Sequence, residues 1–247
     1  MRLELGSSLG AAPLDRIDAL RLTYGEARAE DVLAGVLAEF TGQVALVSSF
    51  GAEAAVLLHM VAEIDRHTPV LMIDSLMLFE ETLQYQRDLS EHLGLRNVQH
   101  LHPDATDLAR LDPDDRLHQR DQDACCVIRK VAPLDRALGR WPVTITGRKR
   151  FQASTRAALE IFEDDDPRLK VNPLAHWQSA EIRAYMELHD LPRHPLVARG
   201  FPSIGCEPCT TRVLPGEDER AGRWRGSEKV ECGIHFGADG RILRVAS

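Results

Sequence analysis

Five cysteines occur in 247 residues, and they fall in three places. Cys125 and Cys126 are adjacent in DQDACCVIRK, Cys206 and Cys209 form a C-x-x-C in GCEPCT, and Cys232 stands in VECGIHFG. Neighbouring Cα atoms are only about 3.8 Å apart, whereas a disulfide needs roughly 4.4 to 6.8 Å, so the adjacent pair makes a poor disulfide. Two buried apolar cysteines on one helix are the plain alternative. Successive helical residues diverge by about 100°, which makes it awkward for both to face one core. The C-x-x-C lies in a loop, with Gly205 before it and a stiffening Pro208 within it, which suits a metal clamp better than a thioredoxin-type redox pair opening a helix. Pair and clamp supply four thiolates, enough for zinc or an iron–sulfur cluster. Adjacent thiolates strain against a single zinc tetrahedron, and the separate irons of a cubane suit them better. Arg129 and Lys130 follow Cys125 and Cys126 by four residues each, on the corresponding helix faces. They can offset the charge of a thiolate-rich group or reach an anion beside it, unless they merely form a solvated face. Cys232 is either an incidental surface thiol or, beside His235 and the Arg-rich RAGRWRG (220–226), a low-pKa nucleophile.

The elements that must position these residues are legible as apolar patterns. Buried strands are expected at 44–50, 69–74, 98–103 and 142–147, with a fifth at 169–174. Helices are expected at 14–40 with a break near Gly25, then at 52–64, 79–94, 121–139 and 179–190, the last with Ser179 as its N-cap. Strands alternating with helices predict an α/β fold, a mostly parallel sheet with helices on both faces. The division expected is an N-terminal helical segment (1–40), an α/β domain (41–190) and an irregular C-terminal extension (191–247). The loop SSFGAE after the first strand joins small residues to a helix start, a ready anion site. It matches neither a P-loop nor G-x-G-x-x-G.

Composition narrows the class. Apolar residues make up 44% and charged residues 28%, and the net charge is −8. That charge argues against nucleic acid and anionic membranes as general partners. The longest apolar run, 54–62, is too short to span a bilayer, and the first residues do not read as a signal peptide. A cytoplasmic location is therefore expected, where thiols stay reduced and serve as ligands or reactive groups.

Taken together, SSFGAE, CCVIRK, VNPLAHW, FPSIGCEPCT, RAGRW and ECGIH resemble the assimilatory sulfonucleotide reductases. The likeness is strongest to the iron–sulfur-containing adenylyl-sulfate (APS) reductases of the PAPS reductase family, and it runs from about Val44 to Phe236. It implies an adenine nucleotide alpha hydrolase-like (PP-loop type) fold and a [4Fe–4S] cluster on Cys125, Cys126, Cys206 and Cys209. It implies Cys232 as nucleophile, thioredoxin or a glutaredoxin-like protein as reductant, and a homo-oligomer. The substrate side would comprise Ser48, Ser49, Phe50, Gly51 and Glu53 in the nucleotide loop, Arg150 and Gln152 in a basic segment, and Lys130, Arg220, Arg223 and His235 at the phosphosulfate. Two segments depart from the family pattern: IDSL has Leu76 where glycine is usual, and GRKRFQ (147–152) replaces G-L-R-R-D-Q. Three other readings compete. The substrate could carry a 3′-phosphate (PAPS), the chain could be an ATP-pyrophosphatase that thiolates tRNA, or it could be a zinc-stapled module. SSFGAE lacks the Asp and Lys that the second needs.

Overall fold

The computed structural model describes residues 13–229 and residue 231; Cys232 and His235 lie outside the described residues. Six strands form one sheet: β1 (Val44–Ser48), β2 (Val70–Ile73), β3 (Val98–Leu101), β4 (Val143–Thr146), β5 (Phe162–Asp165) and β6 (Arg168–Val171). Their order across the sheet is β3-β2-β1-β4-β6-β5. All pairings are parallel except β5 with β6. The hairpin strand β5 escapes the sequence pattern because FEDD is mostly acidic, and only Phe162 is fully buried.

The central strands read as unbroken apolar runs because both their faces are covered. Val44 and Leu46 of β1, Val70 and Met72 of β2, and Val143 and Ile145 of β4 face the larger core. That core is closed by α1 (Pro13–Tyr24), α2 (Ala29–Glu39), α3 (Ala54–Ile64), α4 (Glu80–Leu93) and α9 (Ser179–Leu188). The intervening residues Ala45, Leu71 and Ile73 pack on Leu134 and Leu138 of α8 (Ala132–Leu138). This is the period-two alternation of a strand with a core on each side. Between β3 and α8 come three short helices, α5 (Ala105–Leu111), α6 (Leu117–Arg120) and α7 (Gln122–Cys126), the first two in a stretch where the sequence pattern gives no element.

Helix ends follow local chemistry. α4 stops where Gly94 takes a left-handed φ of 67° and Leu95 N–H reaches back to Ser90 O, as a glycine C-cap should. At α9 the cap is Gln178, not the expected Ser179, which is the first helical residue. The Glu181 carboxylate accepts the Gln178 N–H at 2.7 Å and closes a capping box one residue earlier. None of the described helices is long and apolar enough to cross a membrane.

From residue 191 the described chain has no regular element beyond two 3₁₀ turns, Val197–Arg199 and Glu207–Cys209. This strap is held by a small apolar cluster, Phe79 with Leu196, Phe201 and Ile204. The buried His194 adds polar anchors: its ring bonds Thr82 Oγ1 at 3.0 Å and accepts the Leu196 N–H at 3.2 Å.

Candidate active site

The strap carries the second cysteine pair to the first. Cys125, Cys126 and Cys206 are buried and Cys209 is partly exposed; all four are free thiols. Cys126 packs with Trp224 and Cys209. Burial, followed by the charges of Cys206 and Cys209, pushes the Cys125 thiol up to about 11 with Arg129 opposing. Cys126 beside Cys209 and Ser75 beside Cys206 bring the two pairs to one neighbourhood. The Ser75 hydroxyl lies 3.0 Å from Cys206 Sγ. Thr210 Oγ1 donates to Cys206 O at 2.8 Å and accepts the Gly205 N–H at 3.2 Å. A Cβ at Gly205 would sit 2.2 Å from the Arg223 guanidinium, so any larger residue here would push that guanidinium from its place.

Between Cys126 and α8 the helix widens into a π turn, Val127–Val131, closed by a hydrogen bond from Ala132 N–H to Val127 O. The turn separates two neighbouring cations. Arg129 points inward, 1% exposed, and bonds Asp112 at 2.7 and 3.0 Å, Ser75 O at 3.1 Å, and Asp115. Lys130 instead lines the main cavity.

The donor set fits a thiolate-bound cluster. Two buried N–H donors beside the cysteines, Trp224 Nε1 and Arg223 Nε, have no acceptor among the described residues. Sulfur ligands are acceptors such donors can serve. Arg129 adds fixed positive charge beneath Cys125.

The main cavity, about 260 Å³, opens at the carboxyl ends of β1 and β4. The chain leaves β1 toward β2 on one side, whereas β4 continues the sheet on the other. Ligands of open α/β sheets bind at this kind of switch point. One wall is the loop after β1, where Phe50 has a left-handed φ of 48° and its N–H bonds Ser48 Oγ. The opposite wall is the strap from Pro202 to Cys206, with Arg220, Arg223, Trp224 and Glu231. The floor is cationic. Lys149 Nζ pairs with Glu53 at 2.7 Å, Arg148 pairs with Glu163, and Arg156 grips Glu231 through two nitrogens at 2.6 and 2.8 Å. Burial pulls Lys149, Arg148 and Arg220 below their ordinary values, although Glu53, Glu163 and Glu231 respectively oppose it.

Of the residues singled out from sequence, Ser48, Ser49, Gly51, Glu53, Lys130, Gln152, Arg220, Arg223 and Cys206 line this cavity. Two of the substrate-side candidates are placed elsewhere. Phe50 is fully buried and shapes the loop through its backbone. Arg150 turns away to Leu159 O and Glu160. Sequence reasoning missed Lys149, Arg156 and Glu231, whose roles rest on pairings 75 to 96 residues apart. Leu76, where the family has glycine, adopts φ 59° with its N–H on Asp74, so the glycine-like backbone is kept without the glycine. A separate group, Asp74, His100 and His102, sits at the ends of β2 and β3 with both imidazoles exposed.

An adenine nucleotide alpha hydrolase-like sheet with a cation-floored cavity at its switch point defines the class. Residues 43–212 match the model of the phosphoadenosine phosphosulfate reductase domain, and the chain belongs to that family. An adenosine 5′-phosphosulfate reductase of Mesorhizobium japonicum is 51% identical over 92% of this chain and 88% of its own length. One of Chelativorans sp. is 49% identical over 91% and 94%, and one of Halalkalibacterium halodurans is 36% identical over 83% and 90%. Among solved structures, the phosphate complex of a Candida auris phosphoadenylyl-sulfate reductase superposes with a TM-score of 0.70, at 24% identity, over 83% of this chain and all of that one. A Candida glabrata FMN adenylyltransferase reaches 0.54 at 17% identity, covering 90% of this chain and 78% of its own. These two likenesses speak to the fold alone.

Proposed function

We propose that this chain reduces adenosine 5′-phosphosulfate to sulfite and AMP for sulfate assimilation, with thioredoxin or a glutaredoxin-like protein supplying the electrons. The observation that carries this reading is that a cluster-type cysteine, Cys206, and the cations Lys130, Arg220 and Arg223 line one cavity at the β1/β4 switch point. The loop after β1 offers small residues and backbone N–H groups for the nucleotide. The cations offset the repulsion between an attacking thiolate and a polyanionic substrate, and they stabilise the departing AMP.

The Cys232 thiolate attacks the sulfate sulfur. An S–S bond forms, the bond from sulfur to the bridging oxygen breaks, and AMP leaves with that electron pair. A thioredoxin thiolate then attacks the sulfur of Cys232, expelling sulfite and forming a mixed disulfide. The second thioredoxin thiol resolves it, so one dithiol becomes one disulfide for each sulfite released. Cys125, Cys126, Cys206 and Cys209 would hold a [4Fe–4S] group, which when bound supplies a fixed charged wall beside the cavity. No step above draws electrons from it.

The test is the intact mass of anaerobic holoprotein after incubation with APS, and in parallel with its 3′-phosphorylated form. The expected result is one sulfonate adduct on the Cys232 peptide, formed from APS and discharged by reduced thioredoxin. Cys232→Ser should keep iron and labile sulfide and form no adduct. An adduct from the 3′-phosphorylated nucleotide alone would change the substrate, and full turnover by Cys232→Ser would refute the mechanism.

A further inference from the structure

Lys149 and Arg148 draw their carboxylate partners from the sheet and its loops, whereas Arg156 and Arg220 share one from elsewhere. Glu53 precedes α3 and Glu163 lies in β5. Glu231 comes from the chain end, 75 residues beyond Arg156. It is held by Arg156 Nε at 2.6 Å and Nη2 at 2.8 Å, by Arg220 Nη2 at 3.5 Å, and by the Thr155 hydroxyl at 3.5 Å. Its side chain is 17% exposed, that of Arg156 10% and that of Arg220 21%. All three residues line the cavity.

The geometry points to Glu231 as an internal occupant of an anion seat: its carboxylate holds the place between Arg156 and Arg220 until the nucleotide's terminal oxyanion displaces it. A carboxylate gripped by the parallel N–H groups of one arginine has the shape of one edge of a sulfate or phosphate. Two guanidiniums face this one carboxylate, and Arg156's other partner is the neutral Gln152, at 2.6 Å. A group with more charge and more acceptor oxygens has the differential affinity needed to take that place. The exchange moves a side chain that belongs to no strand or helix of the described fold. The sequence puts the proposed nucleophile one residue further on, so arrival of the anion changes the anchoring of its immediate chain neighbour. An occupied seat also reduces apparent affinity by the fraction of time it is closed to ligand.

This inference rests on reading the cavity as the nucleotide site, and the experiment separates the two. Calorimetric titration of holoprotein with ADP, whose terminal phosphate stands in for sulfate, is compared with adenosine, which lacks any anion. Glu231→Gln should bind ADP about fivefold or more tightly than the parent, with adenosine affinity unchanged. Glu231→Asp, which keeps the charge, should fall between. Equal or weaker ADP binding by Glu231→Gln, with adenosine still bound, overturns the role of Glu231 and leaves the cavity assignment standing. Failure of either ligand to bind any of the proteins overturns both.

Discussion

Two sets of buried cations lie on either side of the cysteines, and they are balanced in opposite ways. Beneath Cys125, Arg129 loses hydration on burial, yet Asp112 and Asp115 together outweigh that loss and hold it above its ordinary value. Around the cavity, burial outweighs the carboxylates that face Arg148, Lys149 and Arg220, chiefly Glu163, Glu53 and Glu231. The first set is complete without a ligand and works as a brace, tying the π turn to the link at 112–115 and to Ser75. The second set is short of negative charge, and an anionic ligand would complete it. The contrast shows that pairing, more than burial, separates a structural arginine from a binding one.

The contrast is broken most severely by Arg129→Met. It takes the nearest cation from the Asp112 carboxylate, whose side chain is wholly buried and keeps the Leu117 N–H and Arg120 at 3.8 Å, and should cost about 3–5 kcal/mol, read from urea unfolding of the holoprotein. A loss under about 1 kcal/mol would end its role as a brace.

His194 sharpens the contrast by a third solution, which is to stay neutral. Burial depresses its pKa from 6.5 to about 4, partly opposed by Glu81. Its ring accepts the Leu196 N–H, so protonation would remove an anchor of the strap. Below the unfolded value the unfolded chain takes up a proton that the folded chain refuses. Stability therefore falls as pH drops from 6.5 toward about 4, and levels off below. Between about pH 7.5 and pH 5 the loss should be about 2 kcal/mol. His194→Asn should flatten that part of the profile, and an unchanged slope would assign it to other groups.

Lys149→Met has the smallest expected energy and the most diagnostic one. Removing an under-balanced cation should barely change the unfolding midpoint, while ADP affinity drops about tenfold, or about 1.4 kcal/mol. Destabilisation as large as that of Arg129→Met, with ADP affinity intact, would place Lys149 among the braces instead.

The sequence patterns reach some of this and miss the rest for physical reasons. β1, β2 and β4 are legible because a strand covered on both faces must be apolar throughout. The cysteines are legible because few other roles suit adjacent thiols beside a C-x-x-C. β5 is hidden because an edge hairpin needs only Phe162 inside. Arg156, Lys149 and Glu231 are hidden because charges in polar segments carry no periodicity, and their partners lie far along the chain. Arg129 was legible as a cation on the cysteine helix but not as a brace, since the straight-helix spacing that pairs it with Cys125 assumes no π turn.

That turn makes length, rather than composition, the constrained quantity in this stretch. A turn closed by an i→i+5 bond stores one residue more than its α-helical neighbours, and each α-helical residue advances the face by about 100°. The cysteines on α7 and the core-facing Leu134 and Leu138 on α8 are therefore set to different phases of one continuous rod. Removing a single residue between 127 and 131 would restore ordinary helix and abolish the widened turn that sends Arg129 inward and Lys130 to the cavity. A substitution such as Arg129→Met removes one cation, whereas a one-residue deletion would redirect Arg129 and Lys130 together.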